Sequence, residues 1–406
     1  MATDGLLSKL ALEAKASEIR EILKAIKTND LISFGGGMPD PKLFPVEEIR
    51  QIVNDVLREC PDVALQYETT EGYEKLRKEL LRFMNSEGMC ISSPDEIMLT
   101  TGSQQALDLF GRAFIDPGDT IILEEPTYLT ALMAFRPYWP RLLLAPMDSE
   151  GLDTDALRRI LEGRRSRSAP ASESNSKIKF IYTIPTCQNP SGLTMTEARR
   201  KELVDLAHEY GFLIMEDDPY SYLSDSKTPP AIKALDNDRV IYTSTFSKIL
   251  APGLRLGWIA APEMLTSKFA TLKQALDLCT NTLSQHIAYQ FMARGYLGSY
   301  IAKLKPAYKN KREAMLNALS ENMPGGAEWT RPTGGMFIWV TLPEVYDTQK
   351  MLPEALANGV AYVPGGSFHP SGRGKNTMRL NYTYPTMEQI SEGTRRLGNT
   401  IRAHLA

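Results

Sequence analysis

Lys248 lies in Ser244-Thr245-Phe246-Ser247-Lys248-Ile249-Leu250-Ala251-Pro252-Gly253-Leu254-Arg255-Leu256-Gly257, with hydroxyls at Ser244, Thr245 and Ser247 around it and Arg255 seven positions on. Hydroxyls with one arginine suit a phosphate, whose oxygens take charge-assisted, often forked hydrogen bonds. A lysine beside a bound phosphate points to an imine with an aldehyde cofactor, because a desolvated amine loses its proton and becomes nucleophilic. Taken alone, the stretch fits an ordinary surface lysine after a strand equally well. A second group is Glu216-Asp217-Asp218-Pro219-Tyr220. An acid such as Asp217 in the same cleft would keep a pyridine nitrogen protonated, which makes the ring an electron sink. Unpaired, a buried acid is costly, and a solvated turn is the plain alternative.

These groups need a scaffold that brings them to one edge. Val240-Ile241-Tyr242-Thr243 reads as a buried strand leading to Lys248, and Phe212-Leu213-Ile214-Met215 as another leading to Asp217. Ile97–Thr100 predicts a strand, then the turn Thr101-Gly102-Ser103-Gln104-Gln105, then an apolar-periodic helix from Ala106 to Phe114. Free amides and the positive helix end face that turn, a natural anion site. Thr120–Leu123 is a further strand, ending in Glu124-Glu125-Pro126-Thr127-Tyr128, and another βα alternation runs from Leu142 through a helix at Asp155–Leu161. The strand Phe180–Pro185 leads to Cys187-Gln188-Asn189-Pro190-Ser191-Gly192; Thr196 is placed to cap a helix to about Tyr210, which Gly211 closes. Strands joined by helix-bearing connections predict a mainly parallel sheet with its ligand site outside the carboxyl ends.

Around this unit, residues 5–27 carry Leu and Ile at helical spacing, with Ser17 before Glu18 and Glu21 as a helix start. Residues 32–41 (ISFGGGMPDP) predict a loop with exposed amides, without the GxGxxG form of a dinucleotide site. Glu74–Phe83 predicts a helix, and residues 164–177 (RRSRSAPASESNSK) an exposed, mobile loop. After Pro262 a long helical region, Met264 to about Leu319, precedes a smaller α+β domain containing Gly335–Val340 and Met378–Asn381.

A chain of 406 residues suggests two or three domains, and 43% hydrophobic with 23% charged residues is ordinary for a soluble globular protein. A net charge of -3 without a Lys/Arg block argues against nucleic-acid binding. The 4 cysteines are scattered, without CxxC pairs, and the 4 histidines lack metal-ligand spacing. No apolar run nears the ~20 residues of a membrane span, and no secretory signal opens the chain, so a cytoplasmic protein without a metal is expected.

GGGMPDP, LQYETTEGY, TTGSQQALDL, EEPTYL, IPTCQNPSG, EDDPY, TFSKILAPGLRLG, RPTGGMFIW, YVPGGSF and MRLNY occur in that order. From about Ser17 to Leu397 the chain resembles the class I pyridoxal-phosphate aminotransferases, in the branch holding the 2-aminoadipate (LysN-type), kynurenine and aromatic enzymes. The resemblance implies the α/β fold type I: an N-terminal segment 1–43 serving the small domain and the site's mouth, a large domain 44–283 and a small domain 284–406. It implies that Lys248 forms the imine and moves the proton, that Asp217 pairs the pyridine nitrogen, and that Tyr220 and Asn189 contact the ring hydroxyl. Tyr128 stacks on the ring, where core packing is the alternative. Ser103, Gln104, Thr245, Ser247 and Arg255 hold the phosphate, and Tyr67 reaches the phosphate of the neighbouring subunit of a homodimer. Arg379 forks the substrate α-carboxylate, helped by Gly37 and Asn189. Arg20 meets the distal carboxylate of acidic substrates, against a solvated helix arginine as the alternative.

The implied reaction moves an α-amino group from an amino acid (2-aminoadipate, glutamate, aromatic or branched aliphatic) to 2-oxoglutarate in two half-turnovers. Cys187, where members vary, reads as a small buried residue. Two rival readings keep the fold and change the activity. One is a lyase or synthase using the same cofactor. The other is the effector domain of a transcription regulator, against which stand the short stretch before the glycine loop and the lack of a recognition helix.

Overall fold

The computed structural model describes residues 4–13, 31–165 and 176–404. In chain order its main helices begin with α1 (Lys9–Glu13), α2 (Val46–Glu59), α3 (Glu74–Ser86), α4 (Ser103–Phe114), α5 (Leu129–Phe135) and α6 (Thr154–Arg165). They continue with α7 (Glu197–Tyr210), α8 (Glu263–Gln274), α9 (Thr282–Ala293), α10 (Tyr296–Asn322), α11 (Thr348–Ala357) and α12 (Met387–His404). The strands begin with β1 (Ile32–Ser33), β2 (Ile97–Thr100), β3 (Thr120–Glu125), β4 (Arg141–Asp148), β5 (Gly151–Leu152), β6 (Ile178–Thr183) and β7 (Leu213–Asp217). They end with β8 (Val240–Thr245), β9 (Gly257–Ala260), β10 (Glu328–Trp329), β11 (Phe337–Thr341), β12 (Val360–Ala361), β13 (Val363–Pro364) and β14 (Thr377–Asn381).

The large sheet runs β2-β9-β8-β7-β6-β3-β4-β5. Its centre is parallel, from β8 through β7, β6 and β3 to β4, while β9 is antiparallel to both neighbours and β5 to β4. Helices cover both faces, so β8 is buried along its whole length and reads as the unbroken apolar and hydroxyl run its sequence shows. Edge-ward β4 is only partly covered, with Arg141, Pro146 and Asp148 exposed and Ala145 buried. A second, antiparallel sheet of order β10-β11-β14-β13 belongs to the C-terminal part.

The glycine-rich segment after Leu31 is tied to the C-terminal part and forms a small third sheet with it. Contrary to the all-loop expectation, its first residues form β1, which pairs in parallel with β12. From there Asn381 N–H donates to Phe34 O (2.8 Å) and Thr383 Oγ1 to Met38 O (2.9 Å), while the Lys311 ammonium contacts Asp40 at 2.6 Å.

Two further expectations need adjusting, and a third lies mostly outside the described residues. Thr196 occupies the N-cap of α7, but its side chain makes no capping bond; Gly211 does close the helix at φ 74°. Arg164 and Arg165 belong to α6 rather than to a loop, and 166–175 lie outside the described residues. Of the N-terminal helix only α1 and a 3₁₀ turn at Asp4–Leu6 are described; Ser17 and Arg20 lie outside. No helix among the described residues is long and apolar enough to cross a membrane.

Candidate active site

The carboxyl ends of β6, β7 and β8 open onto a cavity of about 390 Å³. Its lining includes Gly37, Ser103, Gln104, Tyr128, Asn189, Asp217, Tyr220, Thr245, Ser247, Lys248, Arg255 and Arg379, together with Met38, Thr130, Ile184 and Phe337. Thus every cofactor and α-carboxylate residue expected from the sequence converges here except Tyr67, which stands on the surface, 77% exposed.

Lys248 follows β8 by three residues, and its Nζ donates to Gly37 O at 2.8 Å. Desolvation, with the Arg379 and Arg255 charges adding to it, pushes the amine down to about 8. At neutral pH a useful fraction is then uncharged and nucleophilic, which an exposed lysine would not offer.

Asp217 ends β7, beside Thr243 of β8. Its Oδ2 accepts from Tyr182 Oη at 2.7 Å, while Oδ1 is buried without a partner. Burial pushes the carboxyl up to about 7, the Tyr182 hydrogen bond pulls it down, and nearby Asp218 and Glu124 push it up. A buried carboxylate oxygen left bare beside a cavity calls for a cationic N–H, and a protonated pyridine ring supplies one. On the donor set present, the residues fit pyridoxal phosphate.

At the phosphate end, Gly102 (φ 72°) begins α4, and a Cβ there would lie 2.7 Å from Arg255 Nη2. Arg255 itself is held left-handed at φ 51°. Its guanidinium therefore lies against the backbone of the helix start, where first-turn amides are free for an anion. Thr245 and Ser247 hydroxyls bond to each other at 2.9 Å beside it. Asp277 fastens this turn from α8's far side, accepting from Thr101 Oγ1 (2.7 Å), Gln105 Nε2 (2.8 Å) and Lys273 Nζ (2.6 Å).

Opposite stands Arg379 on β14, 1% exposed, with Nη1 donating to Asn189 Oδ1 (2.9 Å) and Nη2 to Gly35 O (3.0 Å). Its guanidinium carbon sits 4.2 Å from the Phe337 ring centre and 5.2 Å from that of Phe368, and Nε is unpaired. Burial pushes it down to about 10, still charged at neutral pH. Asn189 Nδ2 meets Tyr220 Oη at 3.3 Å, so one asparagine joins the arginine to the phenol. Cys187 is fully buried and its thiol is pushed up to about 12 by burial, as befits a small core residue.

Sequence reasoning passed over Tyr182, Glu124 and Asp277. Glu124 is buried and accepts from Thr183 Oγ1, Ile184 N (3.3 Å) and Gln188 Nε2 (3.2 Å), which ties β3 to the Asn189 turn. The one available signal was polarity, at Glu124 near the end of β3 and at Asp277 just past α8; Tyr182, inside the apolar β6, offered none.

The family described as aminotransferase class I and II matches residues 29–397. Aromatic-amino-acid aminotransferase 1 of Thermococcus litoralis is 51% identical over 400 residues, 98% of this chain and 94% of that protein. The crystal structure of Pyrococcus horikoshii kynurenine aminotransferase, in complex with PMP, superposes with a TM-score of 0.94 at 48% identity, covering 100% of this chain and 98% of that one. LysN, the α-aminoadipate aminotransferase of Thermus thermophilus complexed with N-(5'-phosphopyridoxyl)-L-leucine, superposes at 0.91 and 37% identity over 100% and 99% of the two chains.

Proposed function

The chain belongs to the class I and II aminotransferases and is a pyridoxal-phosphate enzyme, and from that premise we propose how its own residues divide the work. Bound pyridoxal phosphate supplies the electron sink. Lys248 Nζ would hold the cofactor and would move the proton taken from the substrate α-carbon. Asp217 keeps the ring nitrogen charged; Tyr220 and Asn189 orient the ring hydroxyl, and Tyr128 stacks on the ring. Ser103, Gln104, Thr245, Ser247 and Arg255 hold the phosphate, with Tyr67 added from the neighbouring subunit of a homodimer. Arg379, with Gly37 and Asn189, fixes the α-carboxylate.

The observation that carries this division is the bare Oδ1 of Asp217 in a cavity shared with a desolvated lysine and a buried, charged arginine. The donors read as aromatic amino acids, kynurenine, branched aliphatic amino acids, glutamate and 2-aminoadipate, with 2-oxoglutarate as acceptor. In support, Met38, Ile184 and Phe337 give the cavity an apolar flank, and the relatives named above take aromatic and aminoadipate substrates by name. Arg20 would answer a distal carboxylate. The division into 1–43, 44–283 and 284–406, and a cytoplasmic setting, belong to the same reading.

The test is direct. The holoenzyme, given an amino-acid pool and 2-oxoglutarate, forms glutamate; Lys248→Ala forms none and lacks the visible absorption of the bound cofactor, yet keeps its far-UV circular dichroism. Turnover by Lys248→Ala near the parent rate would refute the assignment.

A further inference from the structure

Acidic side chains crowd the carboxyl edge of the sheet, and they are served unequally. Asp218 accepts from Ser221 N (3.0 Å), Ser221 Oγ (2.6 Å) and Tyr242 Oη (3.0 Å). Glu124 has the three donors described above. Asp217 has one, the Tyr182 phenol, although a carboxylate has room for about four hydrogen bonds. The first two are satisfied within the protein; Asp217 is fixed on one oxygen and left open on the other.

Tyr182 is well held for that purpose. It lies on β6 opposite Met215 of β7, two residues before Asp217, and is fully buried. The Phe135 ring meets it edge-on, centroids 5.8 Å apart at 72°. Burial and the adjacent carboxylate raise the phenol far above its ordinary range, so it remains a donor at any working pH.

We propose that Tyr182 is the positioning residue for Asp217: its phenol anchors Oδ2, aims Oδ1 at the ring nitrogen of the bound pyridine, and keeps that pair in its charged form. The proposal rests on Asp217 being the ring-nitrogen partner. A phenol donor stabilises the carboxylate over the carboxylic acid. Without it the shared proton moves from the ring nitrogen toward Asp217, and the ring becomes a weaker electron sink. A core tyrosine whose hydroxyl merely took the nearest acceptor would have no such effect.

The experiment uses holoenzyme carrying cofactor labelled with ¹⁵N at the ring nitrogen, in the parent, Tyr182→Phe, Phe135→Leu and Asp217→Asn proteins. Two quantities are read: the ring-nitrogen chemical shift, and the cofactor dissociation constant at pH 8. Tyr182→Phe is expected to move the signal toward the neutral-pyridine position and to weaken cofactor binding about ten-fold. Phe135→Leu, which loosens the packing but keeps the hydroxyl, is expected to lower Tm and leave the signal in place. A parental signal in Tyr182→Phe, or the same displacement in Phe135→Leu, overturns the proposal. Asp217→Asn separates the two readings: if it moves the signal and Tyr182→Phe does not, only the role of Tyr182 fails. If Asp217→Asn leaves the signal unchanged, the ring-nitrogen assignment fails as well.

Discussion

Asp217 is a residue the fold tolerates rather than welcomes. Its carboxyl is pushed up to about 7 in the folded chain, against ~3.9 for an ordinary aspartate. Between those values the folded protein holds a proton the unfolded chain has lost, so that proton's stabilisation is full below ~4 and is gone above ~7. Without cofactor, Asp217→Asn should therefore melt above the parent at pH 8, with the gap closing as pH falls to 4; a gap independent of pH would mean the acid is not strained. With cofactor bound the same side chain is needed: Asp217→Ala should slow α-proton removal in a single turnover by about two to three orders of magnitude. An unchanged rate would hand the role to another acid. On the proposed assignment, the bound ring relieves a residue that destabilises the empty protein. At this scale the sequence was legible where chemistry is rare: a lysine among hydroxyls, an acid ending a strand, an arginine in MRLNY. It was silent on Tyr182, because an aromatic residue in an apolar strand is also what plain packing selects. Only the register of β6 against β7 brings its hydroxyl to Asp217.

Elements are held in place at a few close approaches, one of them at Gly257 on β9. A Cβ there would lie 2.8 Å from Ser244 O and 2.9 Å from both Gly102 C and Ser103 N. Those atoms are backbone, so Gly257→Ala must push the start of α4 away from β8. Expected are a stability loss of about 1–3 kcal/mol and cofactor binding weaker by about ten-fold, the cost of spoiling a charge-assisted contact. Gly253→Ala, a neighbour whose Cβ would meet nothing within 4 Å, is the control. Equal affinity in both variants would show that the turn tolerates the shift. The central strands were legible because parallel strands covered on both faces must be continuously apolar, as at 240–243 and 120–123. The pairing of β1 with β12 was not, since its partners lie more than three hundred residues apart in sequence and its own residues carry only a glycine-loop signal. Nor could Thr196 reveal that its hydroxyl makes no capping bond to the helix it precedes.

At the scale of the whole molecule, Tyr67 is the residue that a single chain leaves unexplained. It is 77% exposed, beside Leu65 at 67% and Val63 at 45%, an apolar surface suited to a second copy. If each Tyr67 serves the neighbouring site, mixing Lys248→Ala and Tyr67→Ala chains creates hybrids with one intact site each. Random re-pairing should then restore about a quarter of the parent activity; no recovery above the two separate variants would mean that Tyr67 does not serve the neighbouring site. The segment from Ile32 to Met38 has a different consequence, one of timing. It lies near the start of the chain, yet its bonds run to Ala361, Arg379, Asn381 and Thr383 near the end. During synthesis, Lys248, Asp217 and the phosphate turn all leave the ribosome before β14 exists. A nascent chain already carries the groups proposed to hold the cofactor, while Arg379, proposed for the amino acid, arrives only with the last strand. On the proposed assignment, the order of translation presents the cofactor's residues first and the substrate's arginine last.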